Sequence, residues 1–199
     1  MDIVLRESER LNTTIRSFLA YARPQRFAIA RIDVRRALND TALLLRNSSE
    51  LHDGHIVDVD VPDTPVVYRA DEAQIRQVVW NLATNGLRAM PAGGRLRLRV
   101  DAAPARGSRP AEMVLGVDDE GVGIAPEELD GIFQPFRGGF ANGTGLGLSI
   151  VHRIASDYGG EVRVASQQGK GTSVEVALPM GKIDTAYQWA VADVERRDD

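Results

Sequence analysis

The sequence predicts an α+β sandwich, and three observations predict it. Segments with helical spacing and segments with strand alternation follow one another irregularly, which does not suit the regular succession of a doubly wound parallel sheet. Strands late in the chain come in close pairs, "RLRLRVD" with "EMVLGVDD" and "EVRVAS" with "TSVEVALP", as antiparallel neighbours do. Apolar residues make up 43% of the 199, enough for the core of one ordinary domain plus an appendage.

The elements follow in order. Residues 3–22 carry a helical seam, with Val4, Leu11 and Phe18 in one row and Ser8, Ile15 and Ala22 in the other, and Pro24 ends this appended helix. A second helix is predicted over 33–46, capped by Asp33, with Val34, Ala37, Leu38, Thr41 and Leu45 on one face. "HIVDVDV" and "PVVYR" read as strands. A third helix spans 71–90, opened by Asp71 and closed by Pro91 and the glycines 93 and 94. The Pro/Gly/Arg loop "AAPARGSRP" separates the next two strands as a hairpin tip. Glycine-rich ground fills 121–147 around a short helix near "PEELDGIF", and a last core helix is predicted from about 145 to 157. Two strands joined by "QQGKG" complete the domain. In the tail, Ile183, Tyr187, Val191 and Val194 fall on a helical stripe, which suits either a docking helix or a partly ordered end.

Composition narrows the function classes. The absence of cysteine excludes disulfides and thiolate metal sites and suits a reducing compartment. A net charge of −4 does not suit a chain whose main partner is nucleic acid. Apolar runs such as "MVLGV" and "ALLL" fall far short of the ~20 residues of a membrane span. The start "MDIVLRESER" lacks the basic-then-apolar order of a signal peptide. The expectation is a cytoplasmic chain with no membrane contact of its own, whose parent protein could still be membrane-anchored.

Three stretches carry chemistry. In "NGTGLGLSIV" the glycines Gly143, Gly145 and Gly147 precede an apolar helix. The spacing fits neither G-x-G-x-x-G nor the P-loop, since Leu148 and Ile150 stand where a glycine would be needed and the Gly-Lys-Gly of 169–171 lacks the Ser or Thr. Bare backbone N–H groups and a helix N-terminus nonetheless make a phosphate cradle. Taken alone, the cluster serves equally as a tight turn into a buried helix. In "DDEGVGI", Asp119 ends a strand and is followed by Gly121 and Gly123. A carboxylate there can accept from an exocyclic amine such as adenine's while the glycines leave room for a flat ring, and an acidic turn is the plain alternative. In "QVVWNLATNGLRAM", Asn81, Asn85 and Arg88 share one helical face, while Val78, Val79 and Leu82 face the core. Amide oxygens suit Mg²⁺ and a guanidinium suits phosphate. Asparagine is a mediocre helix former, so two at this spacing call for a reason beyond a solvated face.

In this order "NLATNG", "DDEGVGI", "FQPF", "GTGLGLSIV" and "GKGT" resemble the N, G1, F, G2 and G3 boxes of the catalytic ATP-binding domain of sensor histidine kinases. That family belongs to the wider GHKL superfamily shared with gyrase, heat-shock chaperone and mismatch-repair ATPases. The resemblance covers about residues 30–179. "ESERLNTTIRSFLAYARP" also looks like the second helix of the family's dimerisation and phosphotransfer hairpin, notably of the nitrogen-regulation type. The resemblance implies a Bergerat-type two-layer α/β sandwich with a mixed sheet and three main helices. It divides the chain into a partial hairpin at 1–24, the catalytic domain at 25–180 and a tail at 181–199.

The resemblance also implies roles. Asn85 becomes the Mg²⁺ ligand and Asp119 the partner of the adenine amine, beside Gly121 and Gly123. Asn81 and Arg88 become catalytic residues near the phosphates, and Thr172 supports adenine through a hydroxyl or water contact. Gly143, Thr144, Gly145, Leu146, Gly147 and Leu148 wrap the phosphates through backbone N–H groups. "FQPFRGGFANG" becomes a lid hinged on Phe133 and Phe136, with Arg137 in place of a lysine that nitrogen-regulation kinases often carry there.

Two departures bear on activity. No motif resembling H-E-x-x-N-P-L is present, and His52, His55 and His152 lie in "LHDGH" and "IVHRIAS", where surface or structural roles are expected. Asn81 stands where the hydrolytic branch usually has a glutamate, and an amide has no basicity to activate water. The expectation is a protein-histidine kinase portion that cannot phosphorylate itself in cis. It would pass the γ-phosphoryl of Mg-ATP to a histidine on another hairpin, with a response regulator downstream in a two-component phosphorelay. The helix of 3–22 leaves a homodimer open. The alternatives are a non-catalytic nucleotide-binding regulatory or docking module, or a gyrase-like or chaperone-like ATPase.

Overall fold

The computed structural model describes residues 28–103, 111–137 and 144–181; the predicted helix of 3–22, the hairpin tip, Gly143 and the tail stripe lie outside them. Strand β1 (Ala30–Asp33) runs straight into helix α1 (Val34–Arg46). Then follow β2 (His55–Asp60), β3 (Val67–Ala70), α2 (Glu72–Ala89), β4 (Gly94–Ala103) and β5 (Glu112–Asp119). A single turn, α3 (Pro126–Leu129), precedes α4 (Gly147–Asp157), β6 (Glu161–Gln167) and β7 (Gly171–Pro179).

Five strands form one sheet in the order β2-β4-β5-β7-β6. The pair β2 and β4 is parallel and the other three pairs are antiparallel, so the sheet is mixed as expected. A parallel pair needs a crossover, and β3 with α2 supplies it. Strand β1 pairs antiparallel with β3 in a separate ribbon, Ala30 opposite Ala70. Four residues reading "ARID" are too short a run to mark a strand by themselves, and among the described residues β3 is the partner that completes it.

The helices form where caps and apolar spacing agree. Asp33 Oδ1 accepts from Arg35 N at 3.2 Å and Asp71 Oδ1 from Ala73 N at 2.9 Å, closing the first turns of α1 and α2. Val34, Ala37, Leu38, Thr41 and Leu45 are all buried, and Thr41 disposes of its hydroxyl by donating to Ala37 O at 2.7 Å. Helix α2 is central and packs against both α1 and α4. Its buried residues Ile75, Val78, Val79 and Leu82 lie over Leu96 and Leu98 of β4 and Leu115 and Val117 of β5 in one core. Tyr158, just past α4, locks the layer: it accepts from Asp71 N at 3.0 Å and donates to the buried Gln74 Oε1 at 2.6 Å. Desolvation pushes its phenol up to about 12, so it stays a donor throughout the physiological range.

The other face of the sheet is polar, as one-sided antiparallel sheets allow. Arg99 donates to Asp118 at 3.0 Å and to Glu175 at 2.7 Å, lying flat over Gly116, where a Cβ would come within 2.5 Å of the guanidinium carbon. Among the described residues, no helix is long and apolar enough to cross a membrane.

Candidate functional site

The site is built at the ends of β5 and β7 and along the exposed side of α2. Asp119, the last residue of β5, is partly buried, and its Oδ1 accepts from Gly121 N at 2.9 Å and from Thr172 N at 3.2 Å. Both bonds fall on one oxygen, which leaves Oδ2 for an incoming donor. Burial pushes the carboxyl above its ordinary range, against the pull of those two N–H groups. A raised acid means that the folded chain holds this proton more tightly than the unfolded chain does. Asp119 therefore favours folding below its unfolded value, and that contribution is lost as pH rises through the folded value. A carboxylate accepts a donor best when ionised, so any ligand amine that docks on Asp119 Oδ2 is expected to lose affinity on acidification at a higher pH than an ordinary aspartate would cause. An affinity-against-pH profile checks this, and a midpoint at or below the ordinary carboxylate value would contradict it.

The glycines here are needed for close approach. At Gly121 a Cβ would sit 2.6 Å from Ala89 O, because the turn after β5 docks on the end of α2, where Val122 N donates to the same carbonyl at 2.9 Å. At Gly123, φ is +68° and a Cβ would fall 2.2 Å from Gln167 O. Thr172 is buried beside Asp119, and its hydroxyl pairs with Ser166 Oγ at 2.9 Å. Ser166 in turn accepts from Ile124 N at 2.8 Å, tying the loop after β5 to the end of β6.

The second half of the site faces α4. Gly147 opens that helix, and a Cβ there would lie 3.4 Å from Asn85 Nδ2 and 3.8 Å from Asn81 Cβ. The predicted helix start near 145 moves to Gly147, because Gly145 is left-handed at φ +67°. No side-chain hydrogen bond caps α4, in contrast to α1 and α2. Leu146 is fully buried and Leu148 packs against the core, so these two offer a ligand only backbone. Thr144 Oγ1 accepts from Leu146 N at 3.4 Å. Asn81 Nδ2 is buried with no hydrogen-bond partner among the described residues, a costly state for an amide that an incoming polar group would relieve.

The remaining predicted residues stand as follows. Arg88 lies on the face of Asn81 and Asn85, and its guanidinium is held by Glu50. Phe133 packs against His152 with ring centroids 5.3 Å apart and the planes tilted by 42°. Phe136 is 63% exposed, so its side chain anchors nothing in the core. Its backbone does the holding: at φ +64° its N–H donates to Gly145 O at 2.9 Å. Arg137 lies against Gly131. His55 has a structural role, with Nε2 2.8 Å from Met90 O.

Sequence reasoning missed Gly86 and Glu50. A Cβ at Gly86 would come within 2.6 Å of Leu96 Cδ1 and 3.2 Å of Asp119 Cβ, so this glycine brings α2 onto the strand ends that carry the carboxylate. Its signal was present, since a mid-helix glycine costs about 1 kcal/mol against alanine and needs a reason. Glu50 carried none.

A concavity of about 560 Å³ opens on the polar face of the sheet. It is lined by three cations, Arg95, Arg97 and Lys170, and by three carboxylates, Asp118, Asp119 and Glu120, and does not include Asn81, Asn85 or the N-terminus of α4. The convergence of polar groups between α2, α4 and the strand ends is the better site.

Residues 70–182 match the family model described as histidine kinase-, DNA gyrase B- and HSP90-like ATPase. The sensor histidine kinase ZraS of Escherichia coli strain K12 is 32% identical over 181 residues, which take in 89% of this chain and 37% of that kinase. Sporulation kinase D of Bacillus subtilis strain 168 is 29% identical over 178 residues, 89% of this chain and 34% of its own length. The chain thus spans about a third of the length of the curated relatives it matches. Full-length ShkA, solved in complex with AMPPNP, has a TM-score of 0.75 and 29% identity over 89% of this chain and 38% of ShkA. The mycobacterial sensor histidine kinase MprB has a TM-score of 0.61 and 26% identity, covering 77% of this chain and 98% of that one. Family match, fold and the order of the glycine loops agree: the chain belongs to the histidine kinase-, DNA gyrase B- and HSP90-like ATPases, among the homologues of the sensor histidine kinases.

Proposed function

We propose that this chain is the ATP-binding catalytic portion of a cytoplasmic two-component kinase. It transfers the γ-phosphoryl of Mg-ATP to a histidine nitrogen on a dimerisation hairpin, from which a response-regulator aspartate takes it. The observation that carries this reading is the division of labour at Asp119: one oxygen satisfied by backbone, the other left for an exocyclic amine. The AMPPNP held by ShkA supports it. Adenine would lie over Gly121 and Gly123 beside Thr172, and the phosphates would extend towards the uncapped start of α4.

The residues present fit a magnesium ion bound together with phosphates. The Asn85 side chain makes no hydrogen bond to the described residues, its Oδ1 lies only 3.8 Å from where a Cβ of Gly147 would be, and the orphaned Asn81 amide is beside it. Mg²⁺ needs only one or two protein ligands when it shares phosphates and water, so no acidic cage is required. When bound, the ion would neutralise charge on the phosphate oxygens. In the transfer, a bond forms between the acceptor nitrogen and the γ-phosphorus as the bond to the β–γ bridging oxygen breaks, leaving ADP. The histidine proton passes to a base on the hairpin. Asn81 orients and donates but takes up no proton, so catalysis by this chain is positioning and charge neutralisation.

The test is to incubate the purified chain with γ-labelled ATP and an added histidine-bearing hairpin dimer from a related sensor kinase. Acid-labile, base-stable label on the hairpin, with phosphate release near background, is the expected result. Steady hydrolysis without acceptor would favour a gyrase-like or chaperone-like ATPase. Nucleotide binding without transfer would favour a docking module.

A further inference from the structure

Arg88 is the one charged residue of α2 after Arg76, and it shares the face of Asn81 and Asn85. Its guanidinium is occupied side-on: Nε donates to Glu50 Oε2 at 3.0 Å and Nη2 to Glu50 Oε1 at 2.5 Å. Both partners are roughly a quarter exposed, 29% and 27%. The loop that carries Glu50 is tied at its far end to the end of α2 and the start of β4. His55 Nε2 lies 2.8 Å from Met90 O, and Gly94 N donates to Gly54 O at 3.0 Å. Arg76 differs: it lies three turns earlier, with Glu72 and Asp40.

We infer that Glu50 is a specificity-determining positioning residue, a resident carboxylate that competes with nucleotide phosphates for Arg88 and so sets the affinity for the triphosphate. The inference rests on the proposed nucleotide site. A guanidinium fork fits carboxylate and phosphate alike. A phosphate arriving at the Nε–Nη2 edge must displace Glu50, and one arriving at the Nη1 edge, which no described residue occupies, must tolerate the Glu50 charge a few ångströms away. On either route Glu50 lowers phosphate affinity. The penalty grows with the charge on the ligand and vanishes for adenosine. The pair therefore spares Arg88 an unpaired, partly desolvated state in the empty site and makes the site discriminate by phosphate charge.

Calorimetric titrations of AMPPNP, ADP and adenosine with Mg²⁺ into the wild type, Glu50→Gln, Arg88→Gln and the double variant test this. Glu50→Gln is expected to tighten AMPPNP about three- to five-fold, the range of a partly exposed ion pair. ADP should gain less, adenosine should be unchanged, and the gain should disappear when Arg88 is also replaced. Glu50→Ala, which removes the carboxylate by a different change of shape, should give the same order. Equal shifts for all three ligands, weaker AMPPNP binding, no change, or a gain that persists without Arg88 would each overturn the inference. A wild-type chain that binds no AMPPNP would overturn the nucleotide site itself, whereas a wild type that binds while the Glu50 variants match it would overturn only this inference.

Discussion

Asp119→Asn is expected to weaken binding of a non-hydrolysable ATP analogue by about ten- to 150-fold, the equivalent of roughly 1.5–3 kcal/mol for a hydrogen bond to a charged group. Fold stability is expected to hold or rise. The two halves of this prediction have one cause. Oδ1 is committed to Gly121 N and Thr172 N, and an asparagine oxygen can keep both bonds. The amide NH₂ must then take the Oδ2 position and present a donor to the donor of adenine. Meanwhile the burial that pushes the carboxyl above its ordinary range no longer has a charge to penalise. Calorimetric titration alongside urea denaturation reads both quantities. Loss of binding with equal loss of stability would mean that Asp119 is a structural tie instead.

Gly171→Ala is the second large effect. Gly171 begins β7 at φ +101°, and a Cβ there would lie 1.9 Å from Asp119 O and 3.0 Å from Glu120 Cα. Those neighbours are backbone, so relief requires moving the strand end that carries Asp119. The loss should be on the order of 3 kcal/mol or more, since a steric clash adds to the left-handed strain. Gly169, in the same turn, is a built-in control: φ is +77° and a Cβ would meet nothing within 4 Å. Gly169→Ala should therefore cost only the conformational penalty of about 1–2 kcal/mol. Urea denaturation of the two variants checks the difference, and equal midpoints would refute the steric argument.

Gly171 also shows where residue order informs and where it stops. "GKGT" was readable as a box, yet which of its two glycines has no room for a side chain depends on β5 passing alongside β7, with Asp119 paired to Thr172. In the same way, the faces of α1 and α2, their aspartate caps and the co-facial Asn81, Asn85 and Arg88 were legible because they follow from spacings within one turn or two. The antiparallel pairs of consecutive strands, β4 with β5 and β6 with β7, were legible because one loop or turn connects each.

Contacts across long stretches of chain had no such local mark. Among the described residues, strand β1 finds its strand partner in β3, dozens of residues later. Arg88 was readable as a free cation for phosphate, but its partner Glu50 lies 38 residues away in a loop with no periodicity to betray it. Asp119 was identifiable as an acceptor, whereas the commitment of its Oδ1 to backbone, with Oδ2 left over, exists only once Gly121 and Thr172 are folded around it. Local spacing thus specified the elements and the chemical types in the site, because caps, helical faces and strand alternation act over a few residues. Sheet register and helix docking decided which of those groups are already satisfied and which remain for a ligand, because a hydrogen bond or ion pair is spent wherever the fold brings its partner within reach.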